Sequence, residues 1–352
     1  MLSMSSDTID NVVKNFLKIS FSVSKHNSKY TQSQLGMCLI SCANARESIE
    51  EGVSSPSPQT MRDRLQLNGA WLEKFHEISI MFATFFIKLN RRLKWFISID
   101  ETLEPFYGKV KKLSSEAKPY ISSYRNDVKG ATGSFKYMVV SICCKRYKIP
   151  LAITPMKTGK DINPWLEDKL RLALELSPKS AILADRGFNS VKFFQMLERL
   201  NCKYVVRMTV RDKSVKKKIK NGNKKIVHWI KDNKTKESVL LNMFNIIDKF
   251  GNKYVLTSNL DTPSQFLLKY YRCRWDIENI FKMADRVQLK TSSVNIRMRL
   301  FSIVFSFLLH LLWQTKDKSK MSLRTFVKSI IGIISKIIGF ILDVQGKLMK
   351  IT

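Results

Sequence analysis

The chain has 352 residues and 44% hydrophobic content, enough to fill the core of one large or two ordinary domains, which excludes a disordered tail. Its 61 Lys and Arg stand against 29 Asp and Glu, a formal charge of +32, so a polyanion is the natural partner, nucleic acid first; the alternative is an unrelated basic protein from Lys-rich coding. Six cysteines with no Cys-x-x-Cys pair, and four His, indicate neither a zinc site nor a disulfide framework, and a reducing compartment is expected.

No N-terminal stretch has the charged, apolar and small-residue order of a signal peptide. The longest apolar runs, Leu300–Trp313 and Ser329–Leu342, fall short of the ~20 residues that cross a bilayer. They read as buried helices, and a soluble cytoplasmic protein with no membrane partner is expected.

The first ninety residues carry helical patterns. Thr31 is placed to cap a segment reaching about Asn44, and a short helix is expected near Arg46–Glu51, ending at Gly52. Ser57-Pro58 then opens a basic helix through Met61, Arg62, Arg64 and Leu65, a cap followed by proline at the first helical position. Helix, glycine-containing turn and basic helix together suggest a helix-turn-helix that reads DNA through Arg62 or Arg64, although three short helices are common in any globular protein.

From Lys94 the pattern changes to strands: Trp95–Asp100, Phe135–Cys144 and Tyr147–Thr154, the last two joined by a hairpin turn. A helix over Ile162–Leu176, a strand at Ala181–Ala184, a helix over Ser190–Leu200 and a strand at Tyr204–Met208 follow. That order describes a mixed α/β sheet, antiparallel first and crossed over by helices afterwards. Between Thr209 and Lys236 eleven Lys or Arg face two acidic residues. This strip reads as a loop or hairpin inserted in the sheet before strands at Val239–Ile247 and Tyr254–Ser258. It is a solvated face or, through Lys216, Lys217 and Lys218, a phosphate-binding one. The last third is helical: Gln265–Asp285, Arg297–Trp313 and Leu323–Lys350.

Three carboxylates stand out. Asp100 closes the apolar run Ile97-Ser98-Ile99, Asp185 closes Ala181–Ala184, and Glu278 lies on a later helix. Two acids at strand ends and one on a helix over the sheet suit a two-metal site, because Mg²⁺ takes oxygen ligands and retains several waters. Two such ions, roughly 3.5–4 Å apart, stabilise the attacking and leaving oxygens of a displacement at phosphorus. The same residues also admit an ordinary account, in which Asp185 before Arg186-Gly187 makes a turn and Glu278 pairs with Lys282 one helical turn on.

Around these acids the chain resembles the DDE transposases of prokaryotic insertion sequences, in the group with a Tyr-x2-Arg-x3-Glu signature. Here the signature is Tyr271, Arg274 and Glu278; the segments Ile99–Gly108 and Leu183–Phe188 resemble those around the family's two Asp, and Lys290–Ser293 with the helix Leu300–Trp313 extends the likeness. The resemblance covers about Trp95 to Trp313. It implies a ribonuclease-H-like mixed sheet with flanking helices, in which Asp100, Asp185 and Glu278 hold two Mg²⁺ or Mn²⁺ ions. Tyr271 and Arg274, on one helix face with Glu278, would contact the transposon end; alternatively Tyr271 packs in the core and Arg274 pairs with an acid. The family signature continues with Lys seven residues after the Glu, where this chain has Asp285, and Lys282 is the nearby candidate for its phosphate contact.

The expected organisation is a helical, DNA-binding segment at 1–92, a catalytic domain at 93–315 with its basic insertion at about 209–260, and a helical segment at 316–352. The resemblance implies a transposase that cleaves double-stranded DNA at transposon ends and joins them to a target, working as a homodimer at the nucleoid of a prokaryotic cell. A same-fold nuclease or resolvase and a catalytically inactive DNA-binding derivative remain as alternatives.

Overall fold

The computed structural model describes residues 6–21, 30–47, 57–65, 69–122, 129–210, 212–232, 234–291, 293–316 and 321–331. The chain forms two compact units, one of Met1–Ile80, Glu104–Phe135 and Ile280–Thr352 and one of Met81–Leu103 and Lys136–Asn279.

The first unit is mainly helical, with α1 (Ser6–Ser20), α2 (Gln32–Ala45), α3 (Pro58–Arg64) and the start of α4 (Ala70–Leu89). Thr31 caps α2 as its position predicts: its hydroxyl accepts from the Gln34 N–H at 3.2 Å and Gln34 Oε1 accepts from the Thr31 N–H at 2.8 Å, a reciprocal capping box. Arg46 ends α2 in the left-handed conformation, φ 61°, so no helix begins there; most of the short helix expected at 46–51 lies outside the described residues. Ser57 caps α3, accepting from the Thr60 N–H at 3.2 Å. The Arg62 side chain lies outside the described residues, and Arg64 is half-buried.

The core of this unit is the later helix Ile296–Trp313, which we label α10 after the intervening elements below. It starts one residue before the expected Arg297 and is 18 residues long, apolar enough by length and composition to cross a membrane, yet 94% of it is buried inside the protein. Phe301 stacks on Phe16 at 6.2 Å and meets Trp71 edge-on at 5.3 Å, and Phe307 lies 6.4 Å from Phe75. Arg299 is buried here because Glu104 takes its charge at 2.7 Å and the Ser293 carbonyl accepts from its Nε at 2.7 Å. Residues 323–331 are helical; the remainder of the helix expected to Lys350 lies outside the described residues.

The second unit carries most of a nine-stranded mixed sheet. Its strands are β1 (Phe96–Phe106), β2 (Ile121–Ser122), β3 (Gly133–Cys143), β4 (Lys148–Pro155), β5 (Ala181–Ala184), β6 (Lys203–Arg207), β7 (Lys225–Lys231), β8 (Ser238–Ile247) and β9 (Lys253–Ser258). They lie in the order β2-β3-β1-β5-β6-β9-β8-β7, with β4 also on β3. β3 and β4 pair antiparallel, β1, β5 and β6 run parallel, and β9, β8 and β7 return antiparallel. The helices α5 (Asn163–Leu176) and α6 (Val191–Arg199) make the crossovers that parallel pairing demands. The same alternation is legible in the sequence.

Three local readings change. β1 does not stop at Asp100 but runs on to Phe106, because it has β3 as a second neighbour. The basic strip does form a hairpin, β7 pairing antiparallel with β8, but it opens with an unexpected helix, α7 (Lys213–Lys220), whose N-terminus is capped by Asp212 and whose one buried residue is Val215. The helix expected over Gln265–Asp285 is two helices, α8 (Ser264–Arg272) and α9 (Trp275–Asp285). Between them Cys273 and Arg274 donate to the carbonyls of Tyr270 and Tyr271, both at 2.9 Å. Such i to i−3 bonds tighten the chain into a turn that interrupts the α-helical ladder.

Candidate active site

The parallel register brings the first two acids together. Phe96 pairs with Ala181, Ile97 with Ile182 and Ser98 with Leu183; two residues further along each chain stand Asp100 and Asp185, at the same level of neighbouring strands. Asp185 also makes the turn that its neighbours suggest, accepting from the Arg186 N–H at 2.6 Å where a short 3₁₀ turn, Arg186–Phe188, begins. The ordinary reading and the functional one therefore apply to one side chain.

The segment from α8 into α9 supplies the rest. Tyr271 is buried among Phe96, Ala181, Leu183 and Leu267, and its hydroxyl donates to Asp185 Oδ1 at 3.2 Å. Arg274, in the turn, donates from Nη1 to Asp100 Oδ2 at 2.6 Å and from Nη2 to Glu278 Oε1 at 2.5 Å. Its guanidinium carbon lies 5.6 Å from the centre of the Tyr271 ring. Tyr271 and Arg274 thus act from different elements, not from one helix face, and between them touch all three acids. Glu278 is held by Arg274 rather than by Lys282.

These contacts carry an electrostatic signature. Burial pushes the Asp100 carboxyl up to about 6; Arg274 and the Glu101 N–H oppose that, while Asp185 and Glu278 add to it. Burial works against the charge of Arg274, but Asp100, then Tyr271, Asp185 and Glu278 hold its pKa above the ordinary value. Burial likewise raises Tyr271. Asp100 and Glu278 share one buried cation, and the charge of Asp185 is felt at both Asp100 and Arg274.

A divalent ion suits this donor set, since every side-chain donor is a hard carboxylate oxygen already gathered around positive charge. Among the described residues, however, no three His, Cys, Asp or Glu side chains converge closely enough to chelate an ion as they stand. Lys216, Lys217 and Lys218 are exposed on α7, and Lys282 is exposed on α9. Asp285 pairs with Arg46 at 2.9 Å, so the acid standing at the family's Lys position is neutralised from the end of α2. Sequence reasoning missed Lys148, which meets Asp276 at 3.3 Å and ties α9 to β4; no spacing links two residues so far apart in the chain.

A mixed sheet in this order, with helical crossovers and acids beside the parallel strands, defines a ribonuclease-H-like protein. Residues 93–313 match the transposase DDE domain family, more than half of the chain, and the protein belongs to that family. Among solved structures it is similar to the piggyBac transposase synaptic complex with hairpin DNA, with a TM-score of 0.57 and 13% identity over 94% of this chain and 78% of that one. A pre-cleavage Mos1 transpososome aligns at a TM-score of only 0.20, with 16% identity over 53% of this chain and 60% of that one. No curated protein matches the sequence.

Proposed function

We propose that this chain is an insertion-sequence transposase of the Tyr-x2-Arg-x3-Glu group, which cleaves DNA at the ends of a mobile element and joins the freed 3′-hydroxyl to target DNA. The observation that carries the reading is one guanidinium, Arg274, held by Asp100 and Glu278, with Asp185 held beside it by the Tyr271 hydroxyl, inside the matched family domain.

In this reading the three carboxylates hold two Mg²⁺ or Mn²⁺ ions, which when bound would stabilise charge on the attacking and leaving oxygens at phosphorus. The chain's own residues do the remainder. Tyr271 fixes Asp185 through its hydroxyl, Arg274 holds Asp100 and Glu278, and Lys282 offers positive charge to the DNA backbone at the transposon end. The exposed Lys216, Lys217 and Lys218 hold flanking DNA by phosphate contacts. Arg62 and Arg64 read the end sequence from the α3 segment. Residues 1–92 serve recognition, 93–315 catalysis with the basic insertion at 209–260, and 316–352 form a terminal helical segment. Two copies act together on paired ends, in the cytoplasm of a prokaryotic cell.

Asp100→Asn, Asp185→Asn and Glu278→Gln each conserve shape and remove one charge. Each is expected to abolish nicking and strand transfer on a labelled end duplex in Mg²⁺ while leaving a gel shift of that duplex intact, because the basic surface supplies affinity. Wild-type cleavage by any of the three shows that residue to be no ligand. Cleavage in EDTA sinks the metal mechanism.

A further inference from the structure

We propose that Arg274 is a placeholder cation: its guanidinium holds Asp100 and Glu278 before a metal ion arrives, and metal and guanidinium compete for the same oxygens. This rests on the reading of those carboxylates as metal ligands and adds to it a resident competitor.

Three observations carry the inference. One guanidinium bridges both acids, at 2.6 and 2.5 Å, a charge-assisted fork in the fixed planar geometry that lysine lacks. The Arg274 side chain is only 7% exposed, and its Nε, buried, has no hydrogen-bond partner. The two carboxylates, with the face of Tyr271, therefore hold nearly all of its charge, and a buried guanidinium cannot do without such partners. Finally, among the described residues no three acidic side chains converge as they stand. With Arg274 between Asp100 and Glu278, chelation through both requires the guanidinium to leave.

A site whose competent form is a minority binds more weakly by that fraction. If Arg274 is closed on the acids about nine-tenths of the time, apparent metal affinity falls about tenfold. The guanidinium also offsets repulsion between the acids, so the metal-free protein is more stable with it than without it.

The test uses the full chain without DNA, titrated with Mn²⁺ and followed by the electron paramagnetic resonance of the free ion, beside metal-free and Mn²⁺-loaded melting curves. R274Q is expected to bind Mn²⁺ about tenfold more tightly than wild type, to melt lower without metal, and to gain more from Mn²⁺. R274K, which keeps the charge without the planar fork, is expected between the two, and uncharged R274M decides the matter if R274Q does not fold. D100N is the control for the ligand reading and is expected to lose binding. If the Arg274 variant that folds binds Mn²⁺ no better than wild type while D100N loses it, the placeholder is overturned and the ligand reading stands. If D100N binds as well as wild type, both fall.

Discussion

Tyr271 shows how one side chain can answer to packing and chemistry together. Its ring lies in the core with Leu183, Leu267 and Phe96, and its hydroxyl reaches Asp185 at 3.2 Å. Truncation and hydroxyl loss should therefore separate. Tyr271→Ala empties the core of a large ring and is expected to cost about 3–5 kcal/mol in urea denaturation, by analogy with other aromatic truncations. Tyr271→Phe keeps the ring and is expected to cost only about 0.5–1.5 kcal/mol, the net worth of one hydrogen bond, yet to slow cleavage through a loosened Asp185. Equal stability losses for the two would make the hydroxyl, not the ring, the structural element. The alternatives left open by the sequence, Tyr271 in the core and Arg274 paired with an acid, are both true here.

At the scale of elements, the turn between β8 and β9 shows a carboxylate with a purely structural office. Asp248 accepts from the N–H groups of Phe250 and Asn252, both at 2.9 Å, and pairs with Arg272 at 2.8 Å, which ties the hairpin to α8. Burial works to raise this carboxyl, but the Asn252 and Phe250 hydrogen bonds and the Arg272 charge overcome it and hold it below the usual range. Its folded value is depressed, so its contribution is present above the unfolded value near 3.9 and is lost as pH falls through the folded value. Melting temperature in wild type is expected to decline more steeply below about pH 4 than in Asp248→Asn; parallel curves would show that Asp248 is not linked to folding. The same α8 leads into the turn that carries Arg274, so this stabilised hairpin supports the site without belonging to it.

For the whole molecule the charge of +32 matters more than any pair. Each phosphate neutralised on duplex DNA contributes about −0.9 to the slope of log affinity against log salt. Replacing Lys216, Lys217 and Lys218 together by Ala should flatten that slope by as much as about 2.7 if all three touch phosphate, measured by fluorescence anisotropy from 50 to 200 mM salt. An unchanged slope and affinity would make the helix Lys213–Lys220 a solvated face and no more. The recognition proposed for Arg62 or Arg64 belongs to the same scale. The N-terminal helices share their unit with Ile280–Thr352 and pack Phe16 and Trp71 on Phe301. Substitutions in the full chain therefore test recognition better than an isolated N-terminal fragment, which would lack those partners.

The sequence by itself determined the order of strands and crossover helices, the cap at Thr31 and the candidate acids, because period, cap chemistry and apolar runs are local properties of the chain. The helix at Lys213–Lys220 was also within reach, through Asp212 as its cap and Val215 as its anchor, but the density of lysine hides so short an apolar signal. Only the tertiary structure decided which acids meet. The constant register from Phe96↔Ala181 to Ser98↔Leu183 sets Asp100 level with Asp185, and nothing local in either segment specifies pairing across that distance. It alone also broke the helix at Cys273–Arg274, where the helical periodicity continues but contacts with two separate strands pull Tyr271 to Asp185 and Arg274 to Asp100. Periodicity reports which face of a segment is apolar; it does not report what that face, or its polar edge, will find opposite once the sheet has closed.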